Sequence, residues 1–393
     1  MRNIILFDTP EIRTSLLPLT YTRPTADIIV GIDTIADKWK HFIPGNYSNL
    51  TADYLCELFP TITDPDGDNL LIAGNILPSQ QLAAEINGLE SGCALADSDG
   101  TIIAARGEAT LQFETFEIRT TATNIRRIKR PFDIFTLNFE AISLDFDRLT
   151  SGRQSQPLSP TCTVIGDPSL IFIAPGARVE GAMLNTSAGP IYIAEGAEIM
   201  EGSCLRGPIA ICHHSTVNMA TKIYGGTTIG AHCKVGGELN NVVMLPYSNK
   251  AHDGFLGNAV IGSWCNLGAG CVASNLKNDY TEIKLWDYAS RRFLRTGLQF
   301  CGLIMGDHSK AGINTMFNTA TVTGVGVNIH GTGFPRNFVA SFSEGSATTG
   351  FTDVALSKFF AIATRVMARR GIELTDAWRR VFTHIHEAAD QLK

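Results

Sequence analysis

The sequence is poor in charge and has no long apolar run. Only 18% of its 393 residues are charged, and acidic residues outnumber basic ones, which gives a net charge of -6. This balance argues against a surface for nucleic acid or an anionic membrane. No apolar run reaches the roughly 18 residues that a membrane span needs, and the apolar start is too short for a signal peptide. We therefore expect a cytoplasmic protein without nucleic-acid or membrane partners.

Closely spaced cysteines are also missing. Nine cysteines are present, but no two are separated by two residues, the spacing of many zinc and redox motifs. We interpret them as buried thiols of a reducing compartment. Hydrophobic residues make up 44% of the chain, and a length of 393 residues suits two or three domains better than one core.

What the sequence does contain is a six-residue repeat. Residues 191–238 divide into eight consecutive hexads, and the third position of every hexad is aliphatic: Ile193, Ile199, Leu205, Ile211, Val217, Ile223, Ile229 and Val235. Such a series predicts short strands and tight turns, with three hexads in each coil and the aliphatic side chains stacked inside. The pattern continues more loosely from about 160 to 340, so we expect a β-solenoid.

Two stretches interrupt the repeat. The first, 239–258, contains His252, and the interruption suggests that this residue has a functional role. The second, 277–300, alternates like a hairpin and is charged enough to protrude. Four other histidines fall at hexad corners without the spacing of metal ligands, and we expect them to be solvated turn residues: His213, His214, His232 and His308.

The chain divides into three parts by sequence texture. Residues 1–155 mix short apolar strands with helical stretches and predict an α/β domain. Residues 156–345 form the solenoid, after a linker rich in Ser, Gln and Pro. Residues 346–393 carry apolar positions at helical spacing and predict helices that cap the open end of the solenoid.

The segment "KAHDGFLGNAVIGSWCNLGAG", residues 250–270, resembles the acetyltransferase half of the bifunctional GlmU-type enzymes and their archaeal sugar-1-phosphate nucleotidyltransferase relatives. In that family a histidine is followed by Leu-Gly-x-Ala-x-Ile-Gly and Asn-x-Gly-Ala-Gly, in the order found here. The resemblance covers about 160–340. It implies a left-handed parallel β-helix, a homotrimer, and transfer of acetyl from acetyl-CoA to an amino sugar 1-phosphate.

The resemblance also implies roles for individual residues. His252 corresponds to the general base and Asn266 to its orienting partner, and Gly268, Ala269 and Gly270 belong to the acetyl-CoA groove. A histidine suits the first role because its ordinary pKa lies near cytoplasmic pH. We rank Lys250 and Lys222 first among the basic residues that would hold the sugar phosphate. Phe255 stands where the bacterial enzymes have a tyrosine.

The N-terminal segment "IRTSLLPLTYTRPTADI", residues 12–28, resembles the sugar nucleotidyltransferase signature. The resemblance implies nucleotide binding by Arg13, Thr14 and Arg23. However, the glycine-rich loop is missing, Thr25 stands in place of a lysine, and Asn75 occupies the position where the family usually carries the aspartate that binds Mg²⁺. We therefore expect this domain to be shortened and inactive, with Mg²⁺ required only if it is active.

Two alternatives remain open from the sequence. The chain could be an active nucleotidyltransferase that joins UTP or dTTP to a sugar 1-phosphate, with a mainly structural or regulatory solenoid. It could also be a non-catalytic trimeric scaffold. Release of pyrophosphate distinguishes the first alternative, and binding of acetyl-CoA distinguishes the second, since a scaffold has no reason to bind this thioester.

Overall fold

The N-terminal part of the chain folds around a six-stranded mixed sheet. The structure is a computed structural model that describes residues 2–389. The strands of this part are β1 (Asn3–Phe7), β2 (Asn46–Leu50), β3 (Asn69–Ala73), β4 (Ile76–Leu77), β5 (Cys93–Ala96), β6 (Ile102–Gly107), β7 (Glu117–Thr120) and β8 (Arg126–Arg127). The sheet has the order β2-β1-β3-β6-β5-β7, while β4 and β8 form a separate antiparallel pair.

This part of the chain contains four helices, of which the last packs on the β-helix: α1 (Pro10–Ser15), α2 (Ile35–Phe42), α3 (Gln80–Asn87) and α4 (Pro131–Thr150). Strands β1 and β3 are parallel and buried along their whole length, as expected for apolar strands covered on both faces. Helix α3 begins at the Ser79 cap, whose hydroxyl accepts a hydrogen bond from the Leu82 N–H. The α/β prediction is confirmed.

The middle of the chain is a parallel β-helix. Three series of short strands stack coil upon coil. The first contains β9 (Thr163–Ile165), β12 (Met183–Asn185), β15 (Cys204–Arg206), β18 (Lys222–Tyr224), β25 (Val272–Ala273) and β30 (Met316–Phe317). The second contains β10 (Ile171–Ile173), β13 (Ile191–Ile193), β16 (Ile209–Ile211), β19 (Thr227–Ile229), β28 (Ile304–Met305), β31 (Val322–Thr323) and β33 (Phe338–Val339).

The third series contains β11 (Arg178–Val179), β14 (Glu198–Ile199), β17 (Thr216–Val217), β20 (Lys234–Val235), β22 (Asn249–Lys250), β24 (Asn266–Leu267), β29 (Lys310–Ala311), β32 (Asn328–Ile329) and β34 (Ser343–Ser346). The eight aliphatic residues of the hexad pattern are at most 1% exposed. In register, Ile193 pairs with Ile211 and Ile211 with Ile229. These burials and registers confirm the predicted inward stack. The stack is favourable because it removes apolar side-chain area from water.

The stretch 239–258, which interrupts the six-residue repeat, remains part of the solenoid. Two long strands, β21 (Glu238–Met244) and β23 (Phe255–Ile261), run through two of the faces and pair in parallel with each other. Each joins the first series to the second without a separate turn. The hexad spacing fails here because the coils are shortened, so the predicted interruption of the repeat is present but leaves the stack of coils continuous.

Lys250 lies inside the β-helix. It occupies an inward position of β22, in register with Val235, and is 1% exposed. Its Nζ donates hydrogen bonds to the carbonyl oxygens of Gly236 and His252, at 3.0 and 2.7 Å. Burial lowers the pKa of Lys250 from 10.5 to about 8. This position does not fit the phosphate-binding role expected from the sequence, because the ammonium group does not reach the surface.

The predicted hairpin and end helices are present. Strands β26 (Lys284–Asp287) and β27 (Arg292–Arg295) form an antiparallel pair outside the coils. The last strand, β35 (Gly350–Asp353), turns back on β34, and helices α5 (Leu356–Ala368) and α6 (Asp376–Ala389) follow. Thr375 accepts a hydrogen bond from the Trp378 N–H at the start of α6. The expected end of this helix, residues 390–393, lies outside the described residues.

Helix α4 fastens the N-terminal domain to the solenoid. Asn138 on this helix is fully buried, and its Nδ2 donates to the Gly226 carbonyl at 2.7 Å and to Thr228 Oγ1 at 3.0 Å. Its Oδ1 accepts from the Gly31 N–H at 2.6 Å. Thr228 in turn donates to the Gly31 carbonyl. One amide therefore joins a helix, a loop and a coil, an arrangement that leaves few buried polar atoms unpaired.

A buried ion pair forms a second connection. Arg23 of the N-terminal domain binds Asp307 of the solenoid, and Thr22 donates to the same Asp307 oxygen at 2.8 Å. The other Asp307 oxygen accepts from the Ser263 N–H at 2.8 Å. Both side chains of the pair are about nine-tenths buried or more. Arg23 was expected to bind a nucleotide, but here it serves as a contact between domains.

Stacked rings line one corner of the solenoid. The rings of His214, His232, Tyr247, Trp264 and His308 follow one another, with centroids 4.2 to 6.0 Å apart. Each of the five residues has a positive φ, which a tight corner requires. His308 is 4% exposed and also contacts Phe359 and Phe382 of the end helices. The expectation of a solvated His308 was therefore wrong.

We expect Asp307→Ala to destabilise the protein by about 3–5 kcal/mol, because it leaves the buried Arg23 guanidinium without its counter-charge. Equilibrium urea denaturation measures this loss. Glu344→Gln is the matched control, since its ion pair with Lys358 lies at the surface and contributes at most about 1 kcal/mol. Equal effects of the two substitutions would contradict the interpretation.

The buried Lys250 predicts a specific dependence of stability on pH. Because the folded state disfavours the charged amine, its cost is fully present below pH 8 and disappears as the pH rises towards 10.5. Relative to Lys250→Met, the wild type should therefore gain about 2–3 kcal/mol of unfolding free energy between pH 7.5 and 10. Denaturation of both proteins at each pH measures the difference. A difference that does not change with pH would show that the amine is not desolvated.

Candidate functional site

His252 lies on a short turn between β22 and β23, at a corner of the solenoid. The side chain is exposed, whereas the main chain of the turn is held on several sides. Asn218 Nδ2 donates to the Ala251 carbonyl at 2.7 Å, and the buried Lys250 donates to the His252 carbonyl. The imidazole is therefore presented to solvent from a fixed backbone. Lys250 contributes to this geometry from inside the coil.

The turn is also confined by its neighbours in the stack. Gly254 has a φ of +127°, and a Cβ there would lie 2.0 Å from the Cys271 carbonyl oxygen. On the other side, a Cβ on Gly236 would lie 2.3 Å from the Ala251 carbonyl oxygen. Glycine is needed at both places because the coils approach too closely for a side chain. The short turn is thus packed between the coils that precede and follow it.

The structure brings the predicted acetyl-CoA segment next to His252. Gly268, Ala269 and Gly270 form the corresponding turn of the next coil, and the Gly270 N–H donates to the Asp253 carbonyl at 3.0 Å. Gly268 and Ala269 are held to the following coil through Ala311 and Asn314. The three residues are half-buried and flank the His252 turn directly.

Asn266 is not brought against His252. It lies on β24 with its side chain exposed, in register with Asn249 on one side and Lys310 on the other. Both His252 and Asn266 belong to the described part of the chain, and no hydrogen bond joins their side chains. Asn266 instead lines a cavity with Lys310 and Arg369. Nothing in the structure supports the expected orienting contact within one chain.

Lys222 lies on the face that begins at the His252 turn. It is exposed on β18, in register with Glu238 of the next coil, and Glu238 pairs with Phe255. Lys222 is thus two strands away from Phe255, or roughly 10 Å at the usual strand spacing. The ammonium group is available to a ligand on this face.

In the N-terminal domain, Arg13 is occupied by internal contacts. Its guanidinium donates to Thr51 Oγ1 and to the Tyr54 hydroxyl, both at 2.8 Å, and also to the Thr20 and Arg23 carbonyls. It also pairs with Asp8 at 3.3 Å. Burial raises the pKa of Asp8, and the Arg13 charge opposes that rise. No signal in the sequence distinguished this internal role of Arg13 from the expected nucleotide contact.

Thr14 and Asn75 are likewise engaged with the main chain. Thr14 Oγ1 donates to the Pro10 carbonyl at 2.7 Å. Asn75 is 6% exposed, and its Nδ2 donates to the Ile128 carbonyl at 3.0 Å. The atom of Asn75 that could bind Mg²⁺ is the amide oxygen, which carries less charge than the carboxylate oxygens of an aspartate. Within residues 2–389, no group of three or more His, Cys, Asp or Glu side chains is arranged to hold a metal ion.

A cavity of about 480 Å³ opens at the carboxyl ends of β1 and β2, lined among others by Asp8, Arg13, Thr14 and Asp53. In open α/β sheets, ligands bind at this edge. The cavity therefore lies at the edge where a nucleotide would bind, although the residues expected to hold the nucleotide form internal contacts.

Among residues 2–389, the helices are too short or too polar to serve as membrane spans.

Parts of the chain are similar in sequence to known proteins. Residues 4–154 match the family model of sugar nucleotidyl transferases. The chain is also similar to bifunctional protein GlmU from three organisms. The protein of Gloeobacter violaceus is 31% identical over 85 residues, which are 21% of this chain and 18% of the relative. The protein of Synechococcus elongatus is 24% identical over 168 residues, which are 40% of this chain and 33% of the relative.

The third relative, GlmU of Methanocaldococcus jannaschii, is 28% identical over 111 residues, or 28% of this chain and 24% of the relative. The chain thus spans between 18% and 33% of the length of these three relatives. Both comparisons point to transferases, as the sequence predicted. Residues 4–154 are thus similar to sugar nucleotidyl transferases and are followed by a hexapeptide-repeat β-helix, and the chain is similar to GlmU over part of its length.

Proposed function

We propose that the chain is an acetyltransferase that uses acetyl-CoA to acetylate the amino group of an amino sugar 1-phosphate, with His252 as general base. The observation that carries this proposal is the His252 turn. Its main chain is clamped by Asn218, Lys250 and Gly270, while its imidazole remains exposed. A general base must be positioned but must also reach the substrate, and this turn meets both requirements.

The reaction needs a neutral amine. As the amine nitrogen attacks the thioester carbonyl, a C–N bond forms, the C–S bond breaks, and CoA leaves as the thiolate. The amine proton goes to the imidazole of His252. Histidine suits this transfer because its ordinary pKa lies near neutral pH. Gly268, Ala269 and Gly270, which flank His252, are the residues proposed to contact the thioester arm.

Lys222 is the better candidate for the sugar phosphate. Its side chain is exposed on the face next to the His252 turn, whereas Lys250 is buried in the coil. An ammonium group attracts a phosphate as a point charge. We therefore assign the phosphate contact to Lys222, and to Lys250 the support of the turn from inside.

We propose that the N-terminal domain has kept the family fold without nucleotidyl transfer. Arg13 and Arg23 hold Asp8 and Asp307 respectively, and Asn75 holds the Ile128 carbonyl. A residue in such a buried network cannot leave it for a triphosphate without leaving its partner unpaired. The domain's contribution is then structural, through the contacts that Arg23 and α4 make with the coils.

We further propose that the chain forms a homotrimer in which acetyl-CoA binds between neighbouring β-helices, as the resemblance of residues 160–340 implies. The corner of His252 carries exposed apolar residues two coils before and two coils after it, with Met219 68% and Ile313 71% exposed. Apolar side chains of this kind favour burial against another surface. Sedimentation of the 42.5 kDa chain distinguishes a monomer from a trimer.

We expect His252→Ala to reduce acetyl transfer from acetyl-CoA to glucosamine 1-phosphate about 10²- to 10⁴-fold, because the amine loses its base. Release of the free CoA thiol measures the rate. His213→Ala is the matched control, since His213 is an exposed histidine on another turn, and its rate should match the wild type. A rate for His252→Ala within about tenfold of the wild type would place the base elsewhere.

The N-terminal domain should release no pyrophosphate from UTP or dTTP with sugar 1-phosphates, with or without Mg²⁺. The reason is that its arginines and Asn75 are engaged in internal contacts. A coupled pyrophosphate assay on the full chain provides the measurement. Turnover that depends on Mg²⁺ would instead establish the alternative function, to which the cavity beside β1 gives a place.

A further inference from the structure

A cavity of about 290 Å³ lies between the third strand series of the solenoid and the end of helix α5. The solenoid side provides Asn249, Asn266 and Lys310, three outward side chains on neighbouring strands. The helix side provides Arg369 and Arg370. The cavity therefore joins basic and amide groups from two elements far apart in the chain.

The positive charges of this cavity have no acidic partner. Arg370 donates only to oxygens of neutral groups, the His232 carbonyl at 3.2 Å and Asn249 Oδ1 at 3.4 Å. Lys310 donates to the His308 carbonyl at 2.9 Å. Within residues 2–389, neither these two residues nor Arg369 forms a salt bridge, and no Asp or Glu lines the cavity. A ligand would have to supply the counter-charge.

Two buried cations of this protein are neutralised by carboxylates within the fold, whereas the buried Lys250 donates only to carbonyl oxygens. Arg23 pairs with Asp307, and Lys38 pairs with both Asp33 and Asp145. In a chain with a net charge of -6, the cavity therefore gathers three cations without an acidic partner. Burial also lowers the pKa of Lys310, which reflects the cost of holding its charge there without a counter-ion.

We propose that this cavity binds the phosphate group of a small phosphate ester. Arg369, Arg370 and Lys310 supply the charge, and the Asn266 amide, level with Lys310 on the next strand, supplies a neutral hydrogen-bond donor. Guanidinium groups match phosphate oxygens in geometry as well as in charge. Trp264 forms part of the wall and offers an apolar surface to the remainder of the ester.

The volume of the cavity limits the ligand. About 290 Å³ is at the lower end of small-molecule pockets, so the site suits a phosphate and a few further atoms rather than a whole cofactor. The proposal does not depend on acetyl transfer, because it rests on residues other than His252. Free phosphate, a sugar phosphate and a terminal phosphate of CoA share the chemistry that the site recognises.

Calorimetric titration of the full chain with inorganic pyrophosphate tests the proposal. We expect binding that weakens with added salt, and a loss of about tenfold or more in affinity for Arg369→Gln, because one charge-assisted contact is removed. Arg365→Gln is the matched control. Arg365 is an exposed arginine of the same helix outside the cavity, and its removal should leave the affinity unchanged.

Asn266→Leu provides a second variant that leaves the helix intact and should also weaken binding. Far-UV circular dichroism confirms that each variant is folded. Absence of binding to the wild type, or equal weakening by Arg365→Gln and Arg369→Gln, would overturn the proposal. Competition by glucosamine 1-phosphate or by CoA, in separate titrations, then shows which phosphate ester the cavity prefers. Retained binding in His252→Ala would separate this site from the proposed acetyl transfer.

Discussion

The structure depends on the inward stacking of one side chain per strand in the solenoid. Each coil is too small to bury its own interior, so every coil is held in place by the next one through parallel hydrogen bonds and buried apolar contacts. This rule fixes the turns as firmly as the strands. The turn of His252 is closely packed, because Gly236 lies against it on one side and Gly254 contacts the next coil on the other.

The same rule explains why a lysine is tolerated in the interior. Lys250 takes a place between Val235 and the following coil, and its amine bridges the carbonyls of Gly236 and His252. An aliphatic residue would fill the space but would not connect these two turns. The buried charge of Lys250 is unfavourable for folding, but its hydrogen bonds hold the turn that carries the proposed base.

The N-terminal domain supports the solenoid through side chains that the sequence suggested for ligand binding. Residues that resemble a nucleotide-binding signature are present, but the structure uses Arg13 to stabilise the loops beside β1 and Arg23 to reach Asp307 of the solenoid. Asn138 adds a second connection through α4. These contacts make the domain a fixed neighbour of the coils, consistent with the proposal that its own activity is lost.

Much of the fold could be predicted from the sequence, because Ile193 and its equivalents recur with a period that only a stacked coil explains. The hairpin after residue 277 and the end helices also followed from local pattern. The shortened coils around Met244 could not be recognised, since a hexad count cannot distinguish a missing turn from an excursion.

The same limit applies to individual residues. The pattern alone did not reveal that Lys250 points inward or that His308 is buried under the end helices, because both depend on contacts between distant elements. The two adjacent arginines at the end of α5 were visible in the sequence, but basic residues are common in the last turn of a helix. Their relation to Asn266 and Lys310 required the fold.

The most direct test of the central claim is a crystal structure of the protein with acetyl-CoA and glucosamine 1-phosphate. We expect the thioester carbonyl and the sugar amine to lie beside the His252 imidazole, with Gly268 to Gly270 along the pantetheine arm. A thioester bound far from this corner, with the imidazole in open solvent, would contradict it.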